Sequence, residues 1–302
     1  MKPTFIGLGG QKCASSWLYQ VFNDHPDAFV STPKEVNFFS SFYERGCQWY
    51  ESHFAEATGR TAVGEISPSY LPDADAPARA HAYEPKLRIL LALRDPVERA
   101  YSNYLHDIRL GYYKGSGLSF EAGLDNNPMY VDQSRYARHL SRWLEFFPMS
   151  QVLVVLQEEI RADPVAQARR VYEFLGISTE HTSDFIGRRA NESYLPKSRS
   201  WENFIRSAGA FTRRWGFAWL DKLLRRTGVI SALHRGNRLD IRDVVPPLSD
   251  ATRARLHATL ADDTLRLAEI LGRRSMPWKT WEHAVATATN SGSPSVGHGV
   301  GQ

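Results

Sequence analysis

Residues 4–22 read TFIGLGGQKCASSWLYQVF. A short apolar run, Thr4–Leu8, leads into Gly9 and Gly10, then a loop with Lys12, Cys13 and Ala14, then Ser15 and Ser16. Trp17, Leu18, Val21 and Phe22 follow at a spacing that puts four apolar side chains on one helical stripe. The predicted order is strand, glycine loop, helix. Such a turn exposes backbone N–H groups and the helix start adds partial positive charge, so an oxyanion is favoured there. Lys12 supplies a full charge, and Ser15 and Ser16 supply hydroxyl donors. The loop fits neither GxxxxGK[ST] nor GxGxxG, so it is neither a standard ATPase loop nor a dinucleotide fingerprint. A tight turn that simply requires glycine is the alternative.

Further apolar runs at Thr61–Ile66, Arg88–Leu93 and Gln151–Leu156 predict strands. Helical spacing links Val97, Tyr101, Tyr104, Leu105 and Ile108, then Leu140, Trp143, Leu144 and Phe147, then Val165, Ala168, Val171, Tyr172 and Leu175. Strands alternating with helices predict an α/β fold with a mostly parallel sheet, whose ligands sit at the carboxyl ends of the strands. A last helix is expected over Asp250–Leu271, capped by Ser249 and stopped by Gly272. Residues 1–283 read as a single domain. From 284 to 302 the chain has no Asp, Glu, Lys or Arg and is rich in Gly, Ser, Thr and Ala, which reads as a flexible low-complexity tail.

The 302 residues are 42% hydrophobic and 23% charged, the composition of a globular chain able to bury a core without disulfide or metal staples. Lys plus Arg number 37 and Asp plus Glu 33, a balance that allows an anionic ligand and is too weak to argue for nucleic acid. The basicity is regional: residues 188–242 hold thirteen Lys or Arg against four Asp or Glu. That segment reads either as a cover over a site mouth or as a solvated basic face. Two cysteines, Cys13 and Cys47, make no disulfide framework or zinc site. Without a signal-peptide run near the start or a stretch of about 18 apolar residues elsewhere, the expectation is a cytoplasmic protein with no membrane span.

Two motifs carry a resemblance. The segment GGQKCASSWL at 9–18 resembles the 5′-phosphosulfate loop of sulfotransferases that use 3′-phosphoadenosine 5′-phosphosulfate (PAPS), and LALRDPVERAYSNYLH at 91–106 resembles their 3′-phosphate motif. STPKEVNFF at 31–39, VGEISPSY at 63–70 and the run at 136–177 resemble the bacterial and carbohydrate branch related to heparan sulfate sulfotransferases. The resemblance covers roughly residues 4–275. It implies a P-loop-like three-layer fold with helices flanking the sheet, PAPS as donor, 3′-phosphoadenosine 5′-phosphate (PAP) as product, and no required metal. It also implies a small-molecule, natural-product or carbohydrate acceptor bearing a hydroxyl. A P-loop kinase and a noncatalytic nucleotide-binding protein are the alternatives; the acceptor and the oligomeric state are not legible.

By that resemblance Lys12, Cys13, Ala14, Ser15, Ser16 and Trp17 line the 5′ end of the nucleotide, while Arg94 and Ser102 hold the 3′-phosphate. A guanidinium fork matches a terminal phosphate well, though Arg94 could instead pair with Asp95 or Glu98. Arg188, Tyr194 and Lys197 are expected in a segment closing over the nucleotide, where this chain departs from the RKG signature of the cytosolic branch. Sulfuryl transfer needs anion stabilisation on the leaving side and a base on the attacking side. Lys12 and Lys34 are the expected cations, Lys34 alternatively pairing with Glu35. Glu65, read as following its strand, is the implied general base, although a lone glutamate there is more often a salt bridge or cap. Phe38, Phe39, Tyr43, Trp49 and Tyr50 are either an acceptor wall or core.

Overall fold

The computed structural model describes residues 1–113, 118–187, 194–196 and 238–291. The apolar runs form β1 (Phe5–Gly9), β2 (Ala28–Val30), β3 (Ala62–Ile66), β4 (Arg88–Leu93) and β5 (Val152–Leu156), one sheet in the order β2-β3-β1-β4-β5. Every neighbouring pair is parallel, with Ile6 opposite Glu65, Gly7 opposite Leu90 and Leu93 opposite Leu156. Each residue of β1 and β3 is buried, as a parallel sheet covered on both faces requires. At Gly64 the packing is tight enough that a Cβ would lie 2.2 Å from the Phe5 carbonyl oxygen. Neighbours β3 and β4 flank β1, so the crevice beyond these three carboxyl ends is where a ligand is expected.

Helices α1 (Ser15–Asn23), α2 (Phe38–Ser41), α3 (Gly46–Ser52), α4 (Ala76–Tyr83) and α5 (Pro96–Leu110) lie between or after the first four strands. They are followed by α6 (Phe120–Asn126), α7 (Met129–Asp132), α8 (Tyr136–Leu144), α9 (Gln157–Ala162) and α10 (Pro164–Leu175), and near the end by α11 (Asp250–Ile270) and α12 (Lys279–Ser291). The sheet is thus flanked by helices, as the α/β reading requires. The expected caps are present: Ser249 Oγ accepts the Thr252 N–H at 3.2 Å, and Gly272 follows α11 at φ 61°. Helix α8 stops at Leu144, short of the expected Phe147. Two tethers join the C-terminal helices to the sheet layer. Asp263 on α11 accepts the Ala137 and Arg138 N–H groups at the start of α8, both at 3.0 Å, and Thr280 donates its N–H and hydroxyl to the Asp95 carboxylate at 3.1 Å.

The chain divides into two compact units. The larger comprises Met1–Asn103, Leu124–Asn191 and Leu248–Gln302 and holds the sheet. The smaller comprises Tyr104–Gly123 and Glu192–Pro247 and contains an antiparallel pair, β6 (Tyr194–Pro196) with β7 (Arg238–Asp240). The expected tail begins later than 284: residues 284–291 belong to α12, because AVATATN offers alanines that tolerate a helix and no glycine or proline to stop one. Residues 292–302 lie outside the described set. No helix among the described residues is long and apolar enough to cross a membrane.

Candidate active site

The loop after β1 is shaped by conformation as well as composition. Lys12 and Ala14 both take left-handed backbone, at φ 74° and 67°, although neither is glycine. Such residues cost about 1–2 kcal/mol each, and loops that use them turn successive N–H groups toward one concavity. The Cys13 N–H closes the turn onto the Gly10 carbonyl at 3.0 Å, and α1 opens at Ser15. Gly10 has no room for a side chain: a Cβ would meet Cys13 Sγ at 2.9 Å, Arg99 Cδ at 3.1 Å and Tyr136 Cε1 at 3.2 Å.

Behind this loop lies a buried cation that the sequence reading did not single out. Arg99 is fully buried; its Nε donates to Ser134 Oγ at 2.6 Å, Nη1 to Gln133 Oε1 at 3.2 Å, and Nη2 to the Tyr130 carbonyl. No carboxylate forms an ion pair with it among the described residues, and Cys13, Tyr136 and Asp132 lie near enough to feel its charge. Its neighbour Tyr136 lies 3.5 Å from Cys13 Sγ. Burial pushes the Cys13 thiol up to about 11, so Cys13 is a packing residue rather than a nucleophile.

After β4, Arg94 is mostly buried, with 14% of its side chain exposed, and its Nε has no hydrogen-bond partner among the described residues. Its Nη2 lies 3.6 Å from Glu98, whose other oxygen accepts from Arg253 at 2.6 Å. Burial pushes the Glu98 carboxyl up, but Arg253 and then Arg94 outweigh it and hold it below its ordinary value. Glu98 is thus engaged mainly by Arg253, leaving Arg94 with unused donor capacity. Ser102 lies on α5, half-buried.

The third wall is the loop after β2. Lys34 Nζ reaches Ser15 Oγ at 3.3 Å and Glu35 Oε1 at 2.5 Å, with Lys34 23% and Glu35 44% exposed. Glu35 and Asn37 are left-handed, at φ 67° and 55°. The expected position of Glu65 is corrected here. It lies within β3 rather than after it and is fully buried. One oxygen accepts from Val36 N–H at 3.1 Å and Ser67 Oγ at 2.5 Å, the other from Tyr50 OH at 3.3 Å and Tyr70 OH. Four donors thus meet the roughly four acceptor positions of the carboxylate.

Other expected site residues divide by packing. Trp17 sits in the core and its indole N–H donates to the Ile186 carbonyl at 3.0 Å, tying α1 to the 186 region. Phe38, Phe39 and Tyr50 are core, with Phe38 and Tyr50 stacked at 4.4 Å, while Tyr43 and Trp49 are partly buried against them. Cys47 is exposed. Tyr194 falls on β6 opposite Asp240. Arg188 and Lys197 lie outside the described residues.

A parallel sheet whose first loop presents a left-handed turn, and whose fourth strand is followed by an arginine with an unpaired buried donor, offers donors suited to an anionic group at its strand ends. The chain belongs to the sulfotransferase domain family, whose model matches residues 2–206. It is 33% identical over 180 residues to human heparan sulfate glucosamine 3-O-sulfotransferase 6, covering 58% of this chain and 52% of that protein. It is 26% identical over 298 residues to mouse bifunctional heparan sulfate N-deacetylase/N-sulfotransferase 4, covering 92% of this chain and 31% of that protein. The chain therefore spans about half the length of the first relative (52%) and about a third of the second (31%). The crystal structure of a sulfotransferase from Alicyclobacillus acidocaldarius shares the fold at a TM-score of 0.65 and 24% identity, over 91% of this chain and 98% of that one.

Proposed function

We propose that the chain transfers the sulfuryl group of PAPS to a hydroxyl of a carbohydrate acceptor. The observation that carries this reading is Lys34, whose ammonium lies between Ser15 of the phosphate loop and the exposed carboxylate of Glu35. A cation placed between a phosphate loop and a base is the arrangement an in-line transfer between oxygens requires. The names of the relatives support a carbohydrate acceptor. They include both O- and N-sulfotransferases; the reading takes a hydroxyl as the group whose proton Glu35 accepts.

The residues present fit a nucleotide with anionic groups at both ends. Gly10, Lys12, Ser15 and Ser16 would hold the 5′ end, and Arg94, with its buried unpaired Nε, and Ser102 would hold the 3′-phosphate. PAPS supplies, when bound, an activated sulfuryl group on a phosphate leaving group. Lys12 and Lys34 neutralise charge on the leaving side, and Arg99 adds a fixed positive field from behind the loop. Glu35, the exposed carboxylate beside Lys34, takes the acceptor proton; this moves the base role from Glu65, whose oxygens are occupied.

Calorimetric titration with PAP and with ADP in EDTA tests the reading. Each carries adenosine and two phosphates, so preference for the 3′,5′ compound isolates the Arg94 site. Preference for PAP, followed by PAP release from PAPS with desulfated heparan sulfate as acceptor, supports transfer. Equal binding of the two would sink it, and PAP binding without turnover on any sugar acceptor would favour the noncatalytic alternative.

A further inference from the structure

The Glu65 carboxyl is a fully buried titratable group that the chemistry above does not use, and its contacts lead to the reacting pair. Two successive N–H groups of the 34–37 loop end on it: Val36 directly at 3.1 Å, and Asn37 through Ser67 Oγ, at 3.0 Å and then 2.5 Å. Ser69 donates to the Asn37 side-chain oxygen at 2.6 Å, adding a second latch from the same ISPSY segment. Tyr50 and Tyr70 hold the opposite carboxylate oxygen, so the group has no freedom to turn. The loop it grips needs such support, because Glu35 and Asn37 are left-handed non-glycine residues. Conformations of that kind persist only where surrounding contacts over-determine them.

We propose that Glu65 is a positioning residue: through Val36 N–H and Ser67 it fixes the backbone that aims Lys34 and Glu35 at the transfer site. This rests on reading Lys34 and Glu35 as the reacting pair. The geometry also says which substitution the site tolerates. A glutamine can turn its carbonyl toward Val36 N–H and Ser67 Oγ and its amide toward the two tyrosine hydroxyls, which can accept as readily as donate. An alanine leaves Val36 N–H and three hydroxyls without that partner.

The test compares wild type with Glu65→Gln, Glu65→Ala and Ser67→Ala by two readouts. Amide hydrogen exchange on peptides covering 31–39 needs no acceptor, and PAP release from PAPS with desulfated heparan sulfate reads turnover. Glu65→Gln is expected to match wild-type exchange and keep kcat within about threefold. Ser67→Ala, and Glu65→Ala where it folds, are expected to speed exchange across 31–39 at least about tenfold. They should also lower kcat about 10- to 100-fold, with KM for PAPS unchanged. Unchanged exchange in Ser67→Ala overturns the proposal. So does loss of turnover in Glu65→Gln with normal exchange, which would return the base role to Glu65. Wild type that binds PAP without turning over PAPS counts against the functional reading instead, and the exchange result still decides the role of Glu65.

Discussion

Lys34 and Arg94, the two cations of the proposed site, differ in that one is already engaged and the other has a donor to spare. Lys34 is committed to Ser15 and Glu35, so replacing Glu35 by Gln should leave nucleotide binding intact and remove the proton acceptor. The expected result is PAP affinity unchanged by calorimetry and kcat lowered about 10²- to 10⁴-fold, the usual worth of a general base. Arg94→Ala should do the reverse: a charge-assisted hydrogen bond is worth about 1.5–3 kcal/mol, so PAP affinity should fall at least about tenfold while ADP affinity barely moves. A third expectation concerns pH. Burial lifts the Glu65 carboxyl above its ordinary 4.5, and its four donors offset only part of that. Below 4.5 the group is protonated in folded and unfolded chains alike; above it the unfolded chain releases the proton first. Stability therefore falls as pH rises from 4.5 through the native value. Glu65→Gln does not titrate, so its melting temperature should rise relative to wild type as pH increases across that window.

Helix α5 shows how one carboxylate can organise an element and its neighbour together. Asp95 caps it, accepting the Val97 and Glu98 N–H groups at 3.0 Å and 3.1 Å, and also receives Thr280 at the start of α12. Asp95→Ala should destabilise the fold by about 2 kcal/mol, a cap plus an orphaned buried donor, read as a lower denaturation midpoint at constant slope. Elements of this kind were legible in the sequence: the helical stripe through Val97, Tyr101 and Ile108 and the caps at Ser249 and Gly272 need no tertiary information. Strand β2 was not legible, because AFV is three residues long and carries no period. The position of Glu65 within the sheet was not legible for a related reason. A strand buried on both faces lacks polar alternation, so nothing in VGEISPSY tells whether its carboxylate faces a cleft or lies within the sheet. Arg99 and Glu35 were equally hidden, since an arginine inside a helix and a glutamate beside a lysine look like ordinary surface charges until their burial and partners are known.

The C-terminal helices raise the question of where the functional unit ends. The family match stops at residue 206, yet α11 and α12 lie beyond it and supply two tethers to the site layer. Asp263 holds the first N–H groups of α8, whose Tyr136 packs beneath Gly10, and Thr280 holds Asp95 next to Arg94. The loop after β1 and the turn after β4, which the proposed function assigns to the two phosphate ends, are thus supported partly by residues the family match does not include. Burial, partly offset by the two N–H donors, raises the Asp263 carboxyl above its ordinary value, and the group remains the cap α8 would otherwise lack. Asp263→Ala should cost about 1–2 kcal/mol, the range of a lost N-cap, and weaken PAP only slightly. A chain ending at residue 247 loses both tethers and leaves Asp95 and the α8 start without those partners, and it should lose cooperative unfolding and PAP binding together. If that shortened chain instead melts at the wild-type temperature and binds PAP unchanged, α11 and α12 are appended to the fold, and the site is complete without them.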